Sequence, residues 1–145
     1  MDKLLEIDFS LVLATVALII SFISFKKTKD YNSASFFMEL IREFRSPEFV
    51  DHRLYVKNQL SQENITVLSK TGHHHVMQLC HYFDTLALLV NNKLIKKNIV
   101  KKFLGKSIYE YWVIVEPYIK DQREKRNFPD YQEEFEKLAL SCKNS

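Results

Sequence analysis

The sequence predicts an all-α protein in which one N-terminal transmembrane helix continues into a small cytoplasmic helical bundle. Three observations support this fold class. The 145-residue chain contains only two Gly and three Pro, so it is poor in the residues that hairpin turns and glycine-rich phosphate loops require. One long segment near the N-terminus is uncharged and apolar, and apolar residues elsewhere recur at helical spacing. No segment shows the alternation of a strand flanked by hairpin turns.

The uncharged segment is residues 9–25, FSLVLATVALIISFISF, which contain no charge, Gly or Pro. A helix rises about 1.5 Å per residue, so a segment of this length nearly spans a hydrocarbon core about 30 Å thick. A secretory signal peptide is the main alternative, but it needs a basic first region, and residues 1–8 contain three acids and one Lys. A buried core helix is the second alternative. We predict a flank and transmembrane helix at residues 1–25, followed by a helical domain at residues 26–145.

Basic residues predict the orientation of this helix. Lys26, Lys27 and Lys29 follow the apolar segment at once, whereas the flank before it is net acidic. The positive-inside rule therefore predicts an N-terminus outside the cell and a cytoplasmic domain at residues 26–145. The two Cys of the chain lie far apart in the sequence, as expected in a reducing compartment rather than in a disulfide-rich secreted protein.

One face of the apolar segment carries small residues at steps of four, three, four and three. Such spacing aligns them on a helix, and small residues let helix backbones approach closely in a membrane. Because each chain has one predicted span, we predict a homo-oligomer that forms through this face, with membrane lipid around it. The alternative is that Ser and Ala are simply common in membrane helices. A ring of copies could line a narrow lumen with this face, although the sequence does not distinguish a ring from a tight dimer. The predicted oligomer or pore face consists of Ser10, Ala14, Ala17, Ser21 and Ser24.

The domain is predicted to contain several helices. Ser46 and Pro47 indicate the end of one helix and the start of the next, because Ser caps helices and Pro is tolerated in the first turn. Residues 61–72 are polar and typical of a turn. The helix at about residues 73–90 is the most apolar one outside the span, and we expect it to be central. Its predicted buried seam is Val76, Cys80, Phe83, Ala87 and Val90.

Gly and Pro, which weaken helices, set the remaining boundaries. We predict a short Lys-rich helix that ends near Gly105, then a helix that contains Trp112 and is kinked at Pro117. Pro129 is predicted to open the last amphipathic helix, DYQEEFEKLAL.

Four of the five His lie within residues 71–84, together with Cys80. A structural zinc site needs four ligands, usually paired at short spacing, and this segment has no such pairs. We therefore predict no metal and no cofactor. His74, Gln78 and His81 share a polar helix face, which we interpret as an interface that an oligomer could use. Because His titrates near neutral pH, a pH-responsive contact is a further hypothesis.

Residues 93–106 contain six Lys and no acid. A solvated helix face is the ordinary explanation of such a window. The more specific interpretations are a contact with anionic phospholipid or with nucleic acid. We favour lipid, since no aromatic platform or RNA-binding signature accompanies the lysines. The six residues are Lys93, Lys96, Lys97, Lys101, Lys102 and Lys106.

No residue pattern in the sequence points to catalysis. Some helical ribonucleases use an Arg-x₄-His pair, in which a guanidinium and an imidazole handle the phosphate and the proton. No Arg of this chain has a His five residues later, and the nearest equivalent is Arg126 followed by Tyr131. Tyrosine titrates near pH 10 and is a poor base at neutral pH. We predict that the protein is not an enzyme and interpret Arg126 and Tyr131 as structural or interface residues.

Three short motifs lie within residues 79–139. An F-E-like pair is followed by a W-x-x-x-x-P-Y-I-x-x-x-R helix and by a closing F-E-x-L-A. Together they resemble an uncharacterised helical domain of small bacterial single-span membrane proteins. The matching residues are Phe83 and Asp84, then Trp112, Pro117, Tyr118, Ile119 and Arg123, then Phe135, Glu136, Leu138 and Ala139.

Within that group, the chain is similar to the small membrane accessory proteins encoded beside the RNA-guided ribonuclease of type VI-B CRISPR systems. The resemblance implies a multimeric pore in the bacterial inner membrane that depolarises the membrane after the ribonuclease recognises its target, as an antiphage defence. It makes the ribonuclease a functional or direct partner. It also implies a divergent HEPN-like domain with an Arg-x₄-His motif, whose His position is occupied here by Tyr131. The alternative function is a membrane-tethered RNA-binding or HEPN-like nuclease module.

Overall fold

The computed structural model describes residues 2–58, 60 and 68–144, with side chains from residue 10 onward. These residues form five helices and contain no strand, which confirms the all-α prediction. The segment predicted to be turn-like falls in part on residues 61–67, which lie outside the described residues. The helices are α1 (Asp2–Phe44), α2 (Pro47–Asn58), α3 (Lys70–Asn91), α4 (Lys97–Arg126) and α5 (Glu133–Ser141).

The chain divides into two compact units, Met1–Ser35 and Phe36–Ser145. The first unit is the greater part of α1, and the second contains the end of α1 and the other four helices. The second unit is the bundle, and it has its own hydrophobic core.

The side chains of α1 are exposed from residue 10 to residue 32. Leu18 and Phe22, for example, have exposed fractions of 70% and 71%. The apolar part of this helix has a mean hydropathy of 1.8, and none of its residues is buried. By length and composition α1 is therefore able to cross a membrane, and it is not a buried core helix.

The junction between α1 and α2 forms as the Ser46-Pro47 pair predicts. α1 ends at Phe44 and α2 begins at Pro47. The Ser46 hydroxyl accepts a hydrogen bond from the backbone N–H of Phe49 at 3.2 Å, which satisfies one of the free donors at a helix start. Pro47 has no N–H that would need a partner there.

α3 is the central helix of the bundle and packs against α2, α4 and α5. All five residues of its predicted seam are buried. The ring of Phe83 lies 6.2 Å from that of Phe44 in α1, 5.8 Å from that of Tyr111 in α4 and 5.0 Å from that of Phe135 in α5. One side chain of α3 thus joins the end of α1 to the two C-terminal helices.

α3 begins earlier than predicted, at Lys70. The Ser69 hydroxyl accepts a hydrogen bond from the N–H of Gly72 at 3.1 Å, so Gly72 belongs to the first helical turn. A Cβ atom at this position would overlap the hydroxyl of Tyr55 in α2. Gly72 therefore permits a close approach of α2 and α3 instead of forming a turn.

α4 is one continuous helix, so the predicted break near Gly105 is wrong. Leu104 and Ile108 are buried in the core on either side of this glycine. A Gly in a helix costs about 1 kcal/mol relative to Ala, whereas the burial of one large apolar side chain contributes about 1.5–3 kcal/mol. The packing of the neighbours therefore outweighs the weakness of Gly105. Pro117 also lies inside the helix.

α4 ends at Arg126, and the next residue, Asn127, has a φ of 48° in the left-handed region that Asn tolerates better than most residues. α5 begins at Glu133, so the prediction that Pro129 opens the last helix is also wrong. Residues 127–132 form the connection, and Gln132 precedes α5 with a φ of 59°.

Candidate functional site

The predicted oligomer face lies on α1. At about 100° per residue, its five residues fall within an arc of about 80° around the helix. All of them are exposed: Ser10, Ala14, Ala17, Ser21 and Ser24. The hydroxyls of Thr15 and Thr28 each donate to the carbonyl four residues earlier, at 2.8 and 2.9 Å. The Ser21 and Ser24 hydroxyls make no hydrogen bond to another described residue and remain able to bond across an interface.

The three consecutive histidines of α3 point in three directions, as expected for adjacent residues of a helix. Nδ1 of His75 lies 2.7 Å from Nδ1 of His52 in α2. Nδ1 of His73 lies 2.8 Å from the hydroxyl of Tyr118 in α4. The His74 side chain is exposed. The two inward-pointing rings therefore connect α3 to two different helices.

The contact between α2 and α3 is built from packed aromatic rings. The Tyr55 ring stacks on that of His75 at 4.6 Å, with an angle of 16° between the planes. The His52 ring lies 5.5 Å from that of His74, and 6.0 Å from that of Phe49 in an edge-on arrangement. We call His52, Tyr55 and His75 the histidine clasp. His52 lies 23 positions before His75, so helix periodicity gives no signal of this contact.

Burial lowers the pKa of His52, and the neighbouring His75 and His74 lower it further. Glu48 and Asp51 act in the opposite direction but do not reverse the shift. Because one of two facing nitrogens must carry the proton and the other must accept it, the 2.7 Å contact requires at least one neutral ring.

The exposed side of α3 borders an open polar cleft of about 210 Å³. Glu43, Glu48, His52, His74 and Gln78 are among the residues that line it. The predicted polar face of His74, Gln78 and His81 is exposed along its whole length. Among the described residues, no group of three or more His, Cys, Asp and Glu is arranged to hold a metal ion.

Arg126 and Tyr131 contact each other at the end of α4. The guanidinium carbon of Arg126 lies 5.0 Å from the centre of the Tyr131 ring, and its Nε donates to the side-chain oxygen of Gln122 at 3.1 Å. Tyr131 is 7% exposed, and burial raises the pKa of its hydroxyl. This geometry suits a packing contact, and the raised pKa leaves still less of the Tyr131 hydroxyl ionised at neutral pH.

The lysines of the predicted lipid or nucleic-acid contact lie in the turn before α4 and in its first turns. All are exposed except Lys101, which is half-buried. Lys102 and Lys106 lie on a different side of the helix from Lys97 and Lys101, so the six do not form one face. Lys106 is 3.8 Å from Glu110, and both side chains are largely exposed.

Three motif residues of α3 and α4 contact Phe135 in α5. The contact of Asp84 was not predicted from the sequence. Phe83 and Trp112 both contact the Phe135 ring, at 5.0 and 5.3 Å. Oδ1 of Asp84 accepts a hydrogen bond from the backbone N–H of Phe135 at 3.1 Å. Burial raises the pKa of the Asp84 carboxyl, and this hydrogen bond partly offsets the effect. The position of Asp84 next to Phe83 in the motif is the sequence signal that could have indicated its contact with Phe135.

Arg123 fastens the connection between α4 and α5. Its Nε donates to the carbonyl of Tyr131 at 2.9 Å, and its Nη2 lies 2.8 Å from a carboxylate oxygen of Glu136. Both ionic side chains are mostly buried, so this pair is shielded from water better than the surface pairs are. The motif is therefore an architectural one, which holds α3, α4 and α5 together.

The sequence matches the protein family described as Domain of unknown function (DUF4760) over residues 11–142. The match covers nearly the whole chain, including the apolar part of α1 and the bundle, and the chain belongs to this family. The expectation of an uncharacterised domain is thus confirmed. No curated protein and no solved structure matches the chain.

Proposed function

We propose that this chain, as a member of the DUF4760 family, is an oligomeric protein of the bacterial inner membrane that acts as a pore or effector. It permeabilises or depolarises that membrane in antiphage defence, as an accessory to an RNA-guided CRISPR ribonuclease. The observation that carries the proposal is that the apolar part of α1 is fully exposed, although the same chain contains a well-packed bundle.

Insertion of α1 into a bilayer is energetically favourable. Residues 9–25 contain eleven Leu, Ile, Val and Phe and no charge. On the scale measured for insertion, each such residue contributes about −0.3 to −0.6 kcal/mol at the helix centre, or roughly −3 to −7 kcal/mol in total. In water the same side chains would remain exposed to solvent, because the bundle does not bury them.

The small-residue face supports self-association of the inserted helices. Lipid tails are as apolar as Leu or Ile, so close packing and hydrogen bonds decide which helix faces meet in a membrane. Ala14 and Ala17 permit a close approach, and the Ser21 and Ser24 hydroxyls have no hydrogen-bond partner among the described residues. In a ring of copies, the same serines would supply a polar lining for a narrow lumen.

The pore and the defence role come from the resemblance of residues 79–139 to the accessory proteins of type VI-B CRISPR systems. A pore that is opened after an RNA-guided ribonuclease finds its target would collapse the membrane potential of an infected cell. The bundle would then be the part that receives the signal in the cytoplasm.

The first test is the mass of the full chain purified in detergent. We expect a particle whose protein mass is at least twice the 17.2 kDa of a single chain. Replacing Ala17 and Ser21 with Leu should break it into monomers, because overpacking an interface costs about 1–3 kcal/mol at each site. The matched control is Thr15→Leu, which adds similar bulk on the opposite side of α1.

The second test is leakage from vesicles that contain the full chain and a fluorescent dye. Unsubstituted protein and Thr15→Leu should release the dye, and the Ala17→Leu, Ser21→Leu variant should not. A monomeric unsubstituted protein would overturn the oligomer, and an oligomer without leakage would overturn the pore while leaving membrane insertion intact. For the link to defence, cells that express the chain should lose membrane potential only when an RNA-guided ribonuclease is activated beside it.

A further inference from the structure

We infer that the bundle has a second membrane contact, in which Phe103, Lys102 and Lys106 of α4 dock on anionic phospholipid headgroups. We call these three residues the α4 patch. The inference rests on the proposed membrane anchoring by α1, and it adds a lipid class and a docking surface that this anchoring does not supply.

Phe103 is an unusual surface residue. Its exposed fraction is 64%, although the side chain is large and wholly apolar. Val100, Leu104 and Ile108 of the same helix are buried in the core, so their packing prevents α4 from rotating Phe103 inward. The helix register therefore holds this ring at the surface.

A core residue packs against the exposed ring. Its centre lies 5.7 Å from that of Phe37, which is 6% exposed and belongs to the core. Phe37 comes twelve residues after Phe25, where the uncharged segment ends. Phe103 of the α4 patch therefore contacts a residue that is close in sequence to the apolar segment.

Every charged residue within six positions of Phe103 along α4 is a lysine. Lys102 and Lys106 lie within an arc of about 100° that also contains Phe103. Residues 85–109 contain six Lys and no acid. Lys102 forms no ion pair with another described residue. The pair of Lys106 with Glu110, at 3.8 Å and largely exposed, is of the weak surface kind.

An apolar ring flanked by ammonium groups fits the surface of an anionic bilayer. The ring can enter the boundary between headgroups and acyl chains, and each ammonium can approach a lipid phosphate. RNA fits less well, since the buried ring of Phe37 occupies part of the Phe103 ring, and among the described residues no second exposed ring is in contact with it. A second copy of the chain would also fit less well, because it would bring the same lysines together.

The test places an indole in the patch. The Phe103→Trp variant of the full chain is inserted into vesicles of phosphatidylcholine, with or without phosphatidylglycerol, that carry a shallow bromine-labelled lipid quencher. The native Trp112 is 2% exposed and serves as the unquenched background. We expect the indole at position 103 to be quenched strongly only in vesicles with phosphatidylglycerol.

The matched control is Phe128→Trp. Phe128 is 51% exposed and follows Lys125 and Arg126, at the opposite end of α4. Its indole should not be quenched in either vesicle. Neutralising Lys102 and Lys106 with Gln should lower the ratio of docked to free patch by about fivefold for each lysine, and higher salt should have the same direction of effect.

The outcomes separate the two proposals. A chain that does not float with the vesicles overturns the membrane anchoring. A chain that floats but shows equal quenching at positions 103 and 128, or equal quenching with and without phosphatidylglycerol, overturns the α4 patch alone. If lipid does not quench the indole at position 103 but single-stranded RNA changes its fluorescence, the patch binds nucleic acid instead. If unlabelled chain changes the fluorescence, the patch binds a second copy.

Discussion

Three consecutive histidines at the start of α3 have three different surroundings. His73 contacts Tyr118 in α4, His75 pairs with His52 in α2, and His74 faces the cleft. The partners lie 45 and 23 positions away in the sequence. The His-rich cluster resembles a metal site in the sequence. In the structure, two of these three side chains make contacts between helices.

The histidine clasp predicts a pH dependence of stability. The pKa of His52 is below its ordinary value of 6.5 in the folded protein, so the folded state favours the neutral ring. The resulting stability is fully present above pH 6.5 and is lost as the pH falls through the lowered folded-state pKa. The free energy of unfolding, measured in detergent with buried Trp112 as the fluorescent reporter, should fall over this acidic range.

His52→Gln should flatten this part of the pH dependence. It should also cost about 1 kcal/mol at neutral pH, because the hydrogen bond to His75 is lost. The matched control is His81→Gln, which changes an exposed histidine of α3 outside the clasp and should leave the slope unchanged. Equal slopes in all three proteins would show that the clasp is not the titrating element.

Among the helices, α5 depends most on a neighbour. It has only nine residues, and Gln132, which precedes it, makes no capping hydrogen bond with its side chain. Asp84 of α3 supplies the missing acceptor through the N–H of Phe135. A carboxylate at this end is also favoured by the helix dipole. Asp84 of α3 thus caps a helix to which it does not belong.

Asp84→Ala should therefore loosen α5. The expected cost is about 1 kcal/mol, typical of a lost N-cap, and amide hydrogen exchange at Phe135 should become about fivefold faster. Asp84→Asn keeps an acceptor oxygen and should show a smaller effect. Thr85→Ala alters the exposed neighbour and should leave exchange unchanged. If Asp84→Ala and Thr85→Ala exchange alike, the capping role is contradicted.

The molecule as a whole consists of an exposed apolar helical segment and a bundle that has its own hydrophobic core. The positive-inside rule applied to Lys26, Lys27 and Lys29 predicts that the bundle is cytoplasmic. The native cysteines, Cys80 and Cys142, are free and buried, so they leave the chain suitable for site-directed labelling. Burial also raises the pKa of the Cys80 thiol, which lowers its reactivity further.

Labelling at the two ends of the chain tests the orientation. In intact spheroplasts, a membrane-impermeant maleimide should modify a Leu4→Cys variant and spare a Lys143→Cys variant until the cells are lysed. The unsubstituted chain should remain unlabelled in both conditions, because its thiols are buried. The reverse pattern would invert the orientation, and labelling of both variants in intact spheroplasts would contradict a single span.

Local patterns in the sequence were sufficient for the all-α class, the apolar helix and the buried seam of α3. The start of α2 was equally predictable, because Ser46 and Pro47 act on the residues next to them. Predictions that used Gly or Pro as helix breakers were less successful. Gly72 and Gly105 lie inside helices, and Pro129 lies before one. The cost of a Gly inside a helix, about 1 kcal/mol relative to Ala, is smaller than the packing energy of the buried neighbours of Gly72 and Gly105.

The candidate site was predictable only where it is local. The small-residue face of α1 and the polar face of α3 follow from helix periodicity, because residues three or four positions apart share a side of any helix. The clasp of His52 with His75, the capping of α5 by Asp84 and the support of Phe103 by Phe37 depend on how remote segments pack. Their sequence separations of 23, 51 and 66 residues carry no periodic signal, so these contacts exist only in the folded protein.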